Sequence, residues 1–145
     1  MKIVALSFPT MALALIAVFM ILAPSEARAQ PADELPPDSP QYAIREGLKL
    51  IRDGKFSDWM TRWCSPTELC TTDIQRKSLK KFNLPAMQRL APDCLKGEGN
   101  TVQVTKIEGD PVKDKSVKIF IQCNPKGSPR PFHMIREDGW KFMKL

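Results

Sequence analysis

The chain has 145 residues, with 22 Lys+Arg against 16 Asp+Glu and a formal net charge of +6. Its 43% apolar and 26% charged residues exclude a disordered or collagen-like polymer. Its length suits one hydrophobic core, which excludes a Rossmann domain joined to a separate substrate domain.

Residues 1–30 read MKIVALSFPTMALALIAVFMILAPSEARAQ. Lys2 gives a short positive start, Met11 to Ala23 is an unbroken apolar run, and Ala27-Arg28-Ala29 precedes Gln30. That order predicts a secretory signal peptide over residues 1–29, cleaved near Ala29. The rival is an uncleaved anchor, since no charge occurs from Ile3 to Ser25, but Pro9 interrupts that stretch. Export leads to the periplasm or the medium. Residues 30–40 (QPADELPPDSP) are Pro-rich and acidic and predict a disordered or extended leader. Residues 41–145 are then a single domain.

Tyr42 to Arg52 places Ile44, Leu48 and Ile51 at helical spacing, and Asp53-Gly54 ends the helix. A second short helix starts at Ser57 after Phe56, with Phe56, Trp59, Met60 and Trp63 on one side. Ser65-Pro66 breaks it. A third begins at Asp73, read as the N-cap, and continues an apolar stripe of Leu79, Phe82, Ala86 and Leu90. Pro85 predicts a kink or split near Asn83, and Ala91-Pro92-Asp93 closes the helical half.

From Asn100 the period becomes two. Strands are predicted over 101–107, 116–123, 131–137 and 140–145, and Asp138-Gly139 is the hairpin signal between the last two. The fold class is α+β: three N-terminal helices packed on a curved four-stranded antiparallel meander. A two-residue turn pairs Glu137 with Trp140, Ile135 with Phe142 and His133 with Lys144, whereas a longer loop shifts this register. One face then carries Trp140, Ile135 and Phe142, and the other Phe132, Met134, Met143 and Leu145. With both faces largely apolar, the outer one needs a cavity, a chain end or a second copy of the chain, as in a homodimer.

Cys64, Cys70, Cys94 and Cys123 form an even set in an exported chain, which reads as two disulfides. Five, 23 and 28 intervening residues are poor metal spacings, and there is one His, so no metal is expected. If residues 110–115 connect the first two strands, Thr101 falls near Cys123, and Cys94 reaches it through a short loop. That leaves Cys64 with Cys70, and we prefer this pairing to the other two connectivities.

The sequence DGKFSDWMTRWCSP (53–66), a further helix, and a meander ending HMIREDGWKFMKL (133–145) together resemble the nuclear transport factor 2-like superfamily, closest to its small exported bacterial members. The resemblance implies a sheet wrapped round helices into a cone with a pocket. The superfamily holds isomerases, dehydratases, binding proteins and assembly modules, so it leaves the function open.

No dinucleotide, P-loop, zinc-protease or serine-hydrolase motif occurs, and no cofactor is expected. The first expectation is a non-enzymatic binding domain holding a small apolar ligand or protein partner. Its pocket candidates are Trp59, Trp63, His133, Ile135, Trp140 and Phe142, although core packing explains the tryptophans equally well. The second is an envelope interaction or assembly protein. It uses the outer sheet face and the basic residues Arg76, Lys77, Lys80 and Lys81 to meet an anionic surface, against the plain alternative of a solvated helix face. The third is a cofactor-free isomerase or hydrolase using His133 as general base, weakened by the lack of a carboxylate within the strands. Nucleic acid is not an expected partner.

Overall fold

A computed structural model describes residues 35–145. The signal peptide expected over residues 1–29 and the first part of the expected leader lie outside the described residues. Among the described residues, no helix is long and apolar enough to cross a membrane.

The end of the leader is a turn, with Ser39 N–H donating to Pro36 O at 2.9 Å. The Ser39 side chain then accepts from Tyr42 N–H and caps α1 (Pro40–Arg52), where Pro40 occupies a position that needs no N–H. Helix α1 buries Ala43, Ile44, Leu48 and Ile51, and it stops at Gly54, whose φ of +71° suits glycine. Helix α2 (Phe56–Arg62) buries Trp59. Phe56, Met60 and Trp63 pack partly buried against the core.

The third helical region departs from its predicted pattern. Thr72, not Asp73, is the N-cap of α3 (Asp73–Ser78), and a reciprocal pair with Gln75 completes the capping box. A single π-turn (Leu79–Asn83) follows and leads into α4 (Leu84–Cys94). The extra residue moves the buried stripe from Leu79 to Leu84, Met87, Ala91 and Cys94. Phe82, Ala86 and Leu90 therefore do not form the buried stripe, and Phe82 is turned out to solvent. The split expected near Asn83 is the change from the π-turn to α4, with Pro85 in the first turn of α4, but the helix runs past Pro92 to Cys94.

A small antiparallel pair, β1 (Leu95–Lys96) with β2 (Thr101–Val102), precedes the main sheet. The sheet is the expected antiparallel meander of β3 (Val104–Glu108), β4 (Ser116–Ile121), β5 (Arg130–Glu137) and β6 (Gly139–Lys144), in that order. The architecture is α+β, with α1 packed on α2, α4 and β6.

The last hairpin is tighter than a two-residue turn. Glu137 pairs with Gly139, Arg136 with Trp140, Ile135 with Lys141 and Met134 with Phe142. A register shift between His133 and Met134 restores the expected His133–Lys144 pair. Gly139, with φ of +81°, permits the tight reversal. One residue of slip exchanges faces. Trp140 and Phe142 therefore join Phe132, Met134, Val117 and Ile119 in the core, while Ile135 is buried apart from that cluster.

The expectation of two apolar faces is corrected accordingly. Across the outer face the cross-strand register runs Glu108, Lys118, His133, Lys144. A charged row thus crosses the outer face, which also carries Ile135 and Phe120.

Both disulfides match the preferred pairing, Cys64–Cys70 and Cys94–Cys123. The second ties the end of α4 to the chain just beyond β4. Near the first, Ser65 N–H donates to Phe142 O at 2.9 Å and Phe142 N–H donates to Trp63 O at 2.6 Å. The segment leaving α2 thus covers the free edge of β6.

Candidate functional site

The six expected pocket residues do not come together. Trp59 and Phe142 meet at a tilt of 53° with 5.3 Å between ring centres, and Phe132 meets Phe142 edge-on at 6.1 Å, all three buried. Trp63 lies edge-on to Tyr42 at 6.4 Å, whereas His133 and Ile135 belong to the opposite face of the sheet. The helices pack onto the sheet through these aromatic rings, and core packing accounts for Trp59 and Phe142.

Trp140 borders a cavity of about 570 Å3 between residues 36–41, Pro111-Val112 and the β5–β6 turn. Arg136 stacks over the Trp140 ring at 4.8 Å and donates to the carbonyls of Pro111 and Val112. This guanidinium already holds the β3–β4 connection in place, so its donors are partly committed to structure.

His133 has Lys118 and Lys144 as cross-strand partners. Burial, and then the charges of Lys118 and Lys144, hold its pKa below the usual imidazole range, with Glu108 opposing them weakly. Glu108 itself is bound by Lys106 at 2.7 Å and Lys118 at 3.2 Å. No carboxylate is hydrogen-bonded to His133 among the described residues, so nothing there orients it or raises its basicity as a general base requires. Nor do three His, Cys, Asp or Glu side chains cluster to hold a metal ion among those residues.

The basic residues present a different picture. Every residue from 71 to 83 except Leu79 is exposed, so Leu79 anchors a protruding helix. Arg76, Lys77, Lys80 and Lys81 project from it, and so do Ile74, at 81% exposure, and Phe82, at 61%. Phe82 is joined to the basic face rather than lying opposite it, with Lys81 Nζ 5.1 Å from its ring centre. Ile74 and Phe82 are eight residues apart, about 80° round an ideal α-helix. The π-turn between them underwinds that angle and brings the two apolar side chains closer to one face.

Sequence periodicity missed this patch because it assumed 3.6 residues per turn throughout. Beside it lies a groove of about 570 Å3, which Arg76 also lines. No family model matches the chain, and neither a curated protein nor a solved structure resembles it significantly.

Proposed function

We propose that the chain is an exported, disulfide-stapled, non-enzymatic domain that docks on an anionic envelope surface through residues 71–83. The carrying observation is the exposure of Ile74 and Phe82 among four cations on a helix held to the core by Leu79. A solvated helix face has no need of two large exposed apolar side chains beside its charges. Each cation contributes about 1 kcal/mol near an anionic surface, so the four supply a reversible, salt-sensitive attachment. Export is supported by the Lys2, apolar-run and Ala27-Arg28-Ala29 order and by two disulfides, which form in oxidising compartments. The nuclear transport factor 2-like resemblance, carried by residues 53–66 and 133–145, remains part of this proposal, although here all the helices precede the main sheet.

The test is retention of the mature domain on a sulfated polysaccharide matrix at rising salt. The domain elutes late, and the variant with Arg76, Lys77, Lys80 and Lys81 all changed to Gln elutes with the void. Equal elution of both would remove the docking reading.

The cavity at Trp140 supports a second reading, in which a small apolar ligand sits between residues 36–41 and the β5–β6 turn. Native mass spectrometry of material from an exporting host tests it. A retained small molecule released by Trp140→Ala supports this reading, and an empty protein opposes it.

A further inference from the structure

The groove beside the basic helix lies among α2, the Cys64–Cys70 loop and the β5–β6 turn. Its lining includes Ser57, Met60, Thr61, Arg76, Asp138 and Lys141. Arg76 Nε donates to Cys70 O at 3.0 Å, and Lys141 Nζ donates to Arg62 O. Neutral backbone carbonyls thus fix the direction of both cations; Arg76 Nη1 also lies 3.8 Å from Asp73 Oδ1, an exposed pair that solvent screens and that offsets its charge only in part. The lining carries two cations against the one carboxylate of Asp138, and Met60 adds an apolar wall. Lys80 Nζ, 3.4 Å from Ser57 Oγ, brings a third cation to the rim. The groove therefore shares Arg76 with the protruding helix and touches it again through Lys80.

We propose that this groove seats the phosphate headgroup of an anionic phospholipid while Ile74 and Phe82 enter the acyl boundary of the bilayer. The inference rests on the docking reading above and names its partner. A purely ionic partner, such as a sulfated or carboxylated glycan, is met by the cations alone and leaves Ile74 and Phe82 in water. A bilayer surface satisfies both, because headgroup charge and apolar chain lie within a few ångströms of each other. The volume suits one headgroup, and a phosphate offers the acceptor oxygens that a guanidinium and an ammonium recognise.

The experiment is flotation of the mature domain with vesicles of phosphatidylcholine alone and with about one-third phosphatidylglycerol, beside the sulfated matrix. The domain floats with the anionic vesicles and stays behind with the neutral ones. Ile74→Ser with Phe82→Ser abolishes flotation and keeps matrix retention, and thermal melting confirms that these exposed changes leave the fold intact. Lys141→Gln weakens flotation about fivefold, the usual contribution of one lysine at an anionic surface, and Lys141→Arg restores it.

Matrix retention without flotation overturns the lipid inference and keeps the docking reading, whereas loss of both ends both. Full flotation of Lys141→Gln overturns the groove as the headgroup seat. Saturable binding of free glycerol phosphate without flotation assigns the groove to a soluble phosphate and likewise overturns the bilayer.

Discussion

Gly47 of α1 is pressed against the ring of Phe142 on β6. A Cβ at Gly47 would stand 2.6 Å from Phe142 Cε2, 2.9 Å from Cζ and 3.1 Å from Trp59 Nε1. The ring cannot retreat, because Trp59 and Phe132 hold it from two directions. Gly47→Ala gains about 1 kcal/mol of helix propensity and loses about 1–3 kcal/mol to overpacking. With a locked aromatic as the obstacle, loss wins, and subtracting the propensity gain leaves a net destabilisation of up to about 2 kcal/mol. Urea denaturation of the oxidised protein measures it, and a midpoint at or above wild type would contradict the close packing of α1 on β6.

The two disulfides differ in what they close. Cys64–Cys70 spans six residues of sequence and Cys94–Cys123 spans 29. On the chain-entropy account the first restricts the unfolded chain by about 2.4 kcal/mol and the second by about 3.6 kcal/mol. Replacing Cys94 and Cys123 by Ala should therefore cost about 1 kcal/mol more than replacing Cys64 and Cys70. Paired denaturation curves of the two double variants decide it, and the reverse order would mean that strain or local contacts outweigh loop closure.

Ser65 is fully buried and serves three partners. Its hydroxyl donates to Glu137 Oε1 at 3.0 Å, accepts from Glu68 N–H at 3.1 Å and meets Thr67 Oγ1 at 3.3 Å. Thr67 donates to the same Glu137 oxygen, while Glu137 Oε2 is buried without a partner. Ser65→Ala removes a donor from a carboxylate already short of them and leaves Glu68 N–H unpaired. We expect a loss of about 1–3 kcal/mol. A double-mutant cycle with Glu137→Ala should give a coupling near 1 kcal/mol, and additive losses would show that the pair does not cooperate.

These contacts mark where the sequence is legible. Alternation from residue 101 onward and the turn at Asp138-Gly139 reveal the meander, and strand pairing then brings Cys94 to Cys123. The hairpin register is not legible, since Asp138-Gly139 fits both a two-residue turn and the tighter reversal that the structure adopts. One residue of slip moved Trp140 and Phe142 from beside Ile135 to beside Met134 and Phe132, and the expected pocket dissolved into core. The same kind of one-residue error governs the third helix. Leu79 and Leu84 both face the core across five positions, a spacing that an α-periodic reading assigns to different faces. Phe82 was therefore expected inside, and the exposed patch it builds with the basic residues came to view only with the π-turn.

His133 gives the domain an acid-sensitive limb of stability. Its neighbours across the strands are Lys118 and Lys144, with Glu108 beyond Lys118, and its pKa is lowered by burial first and by the two lysines next. A histidine whose folded pKa is depressed binds fewer protons folded than unfolded once the pH drops below the unfolded value of about 6.5. Its contribution is intact above that pH and is lost as the pH falls through the lower folded value. The carboxylates of Asp53 and Glu108, lowered chiefly by hydrogen bonds from Arg52 and from Lys106 with Lys118, add a separate limb. That second limb begins only below the ordinary carboxylate range near pH 4. Denaturation midpoints between pH 8 and pH 5 should fall for the wild type and stay flatter for His133→Gln, which cannot take up the proton. Parallel slopes for the two proteins would place the pH sensitivity elsewhere than in the Lys118–His133–Lys144 row.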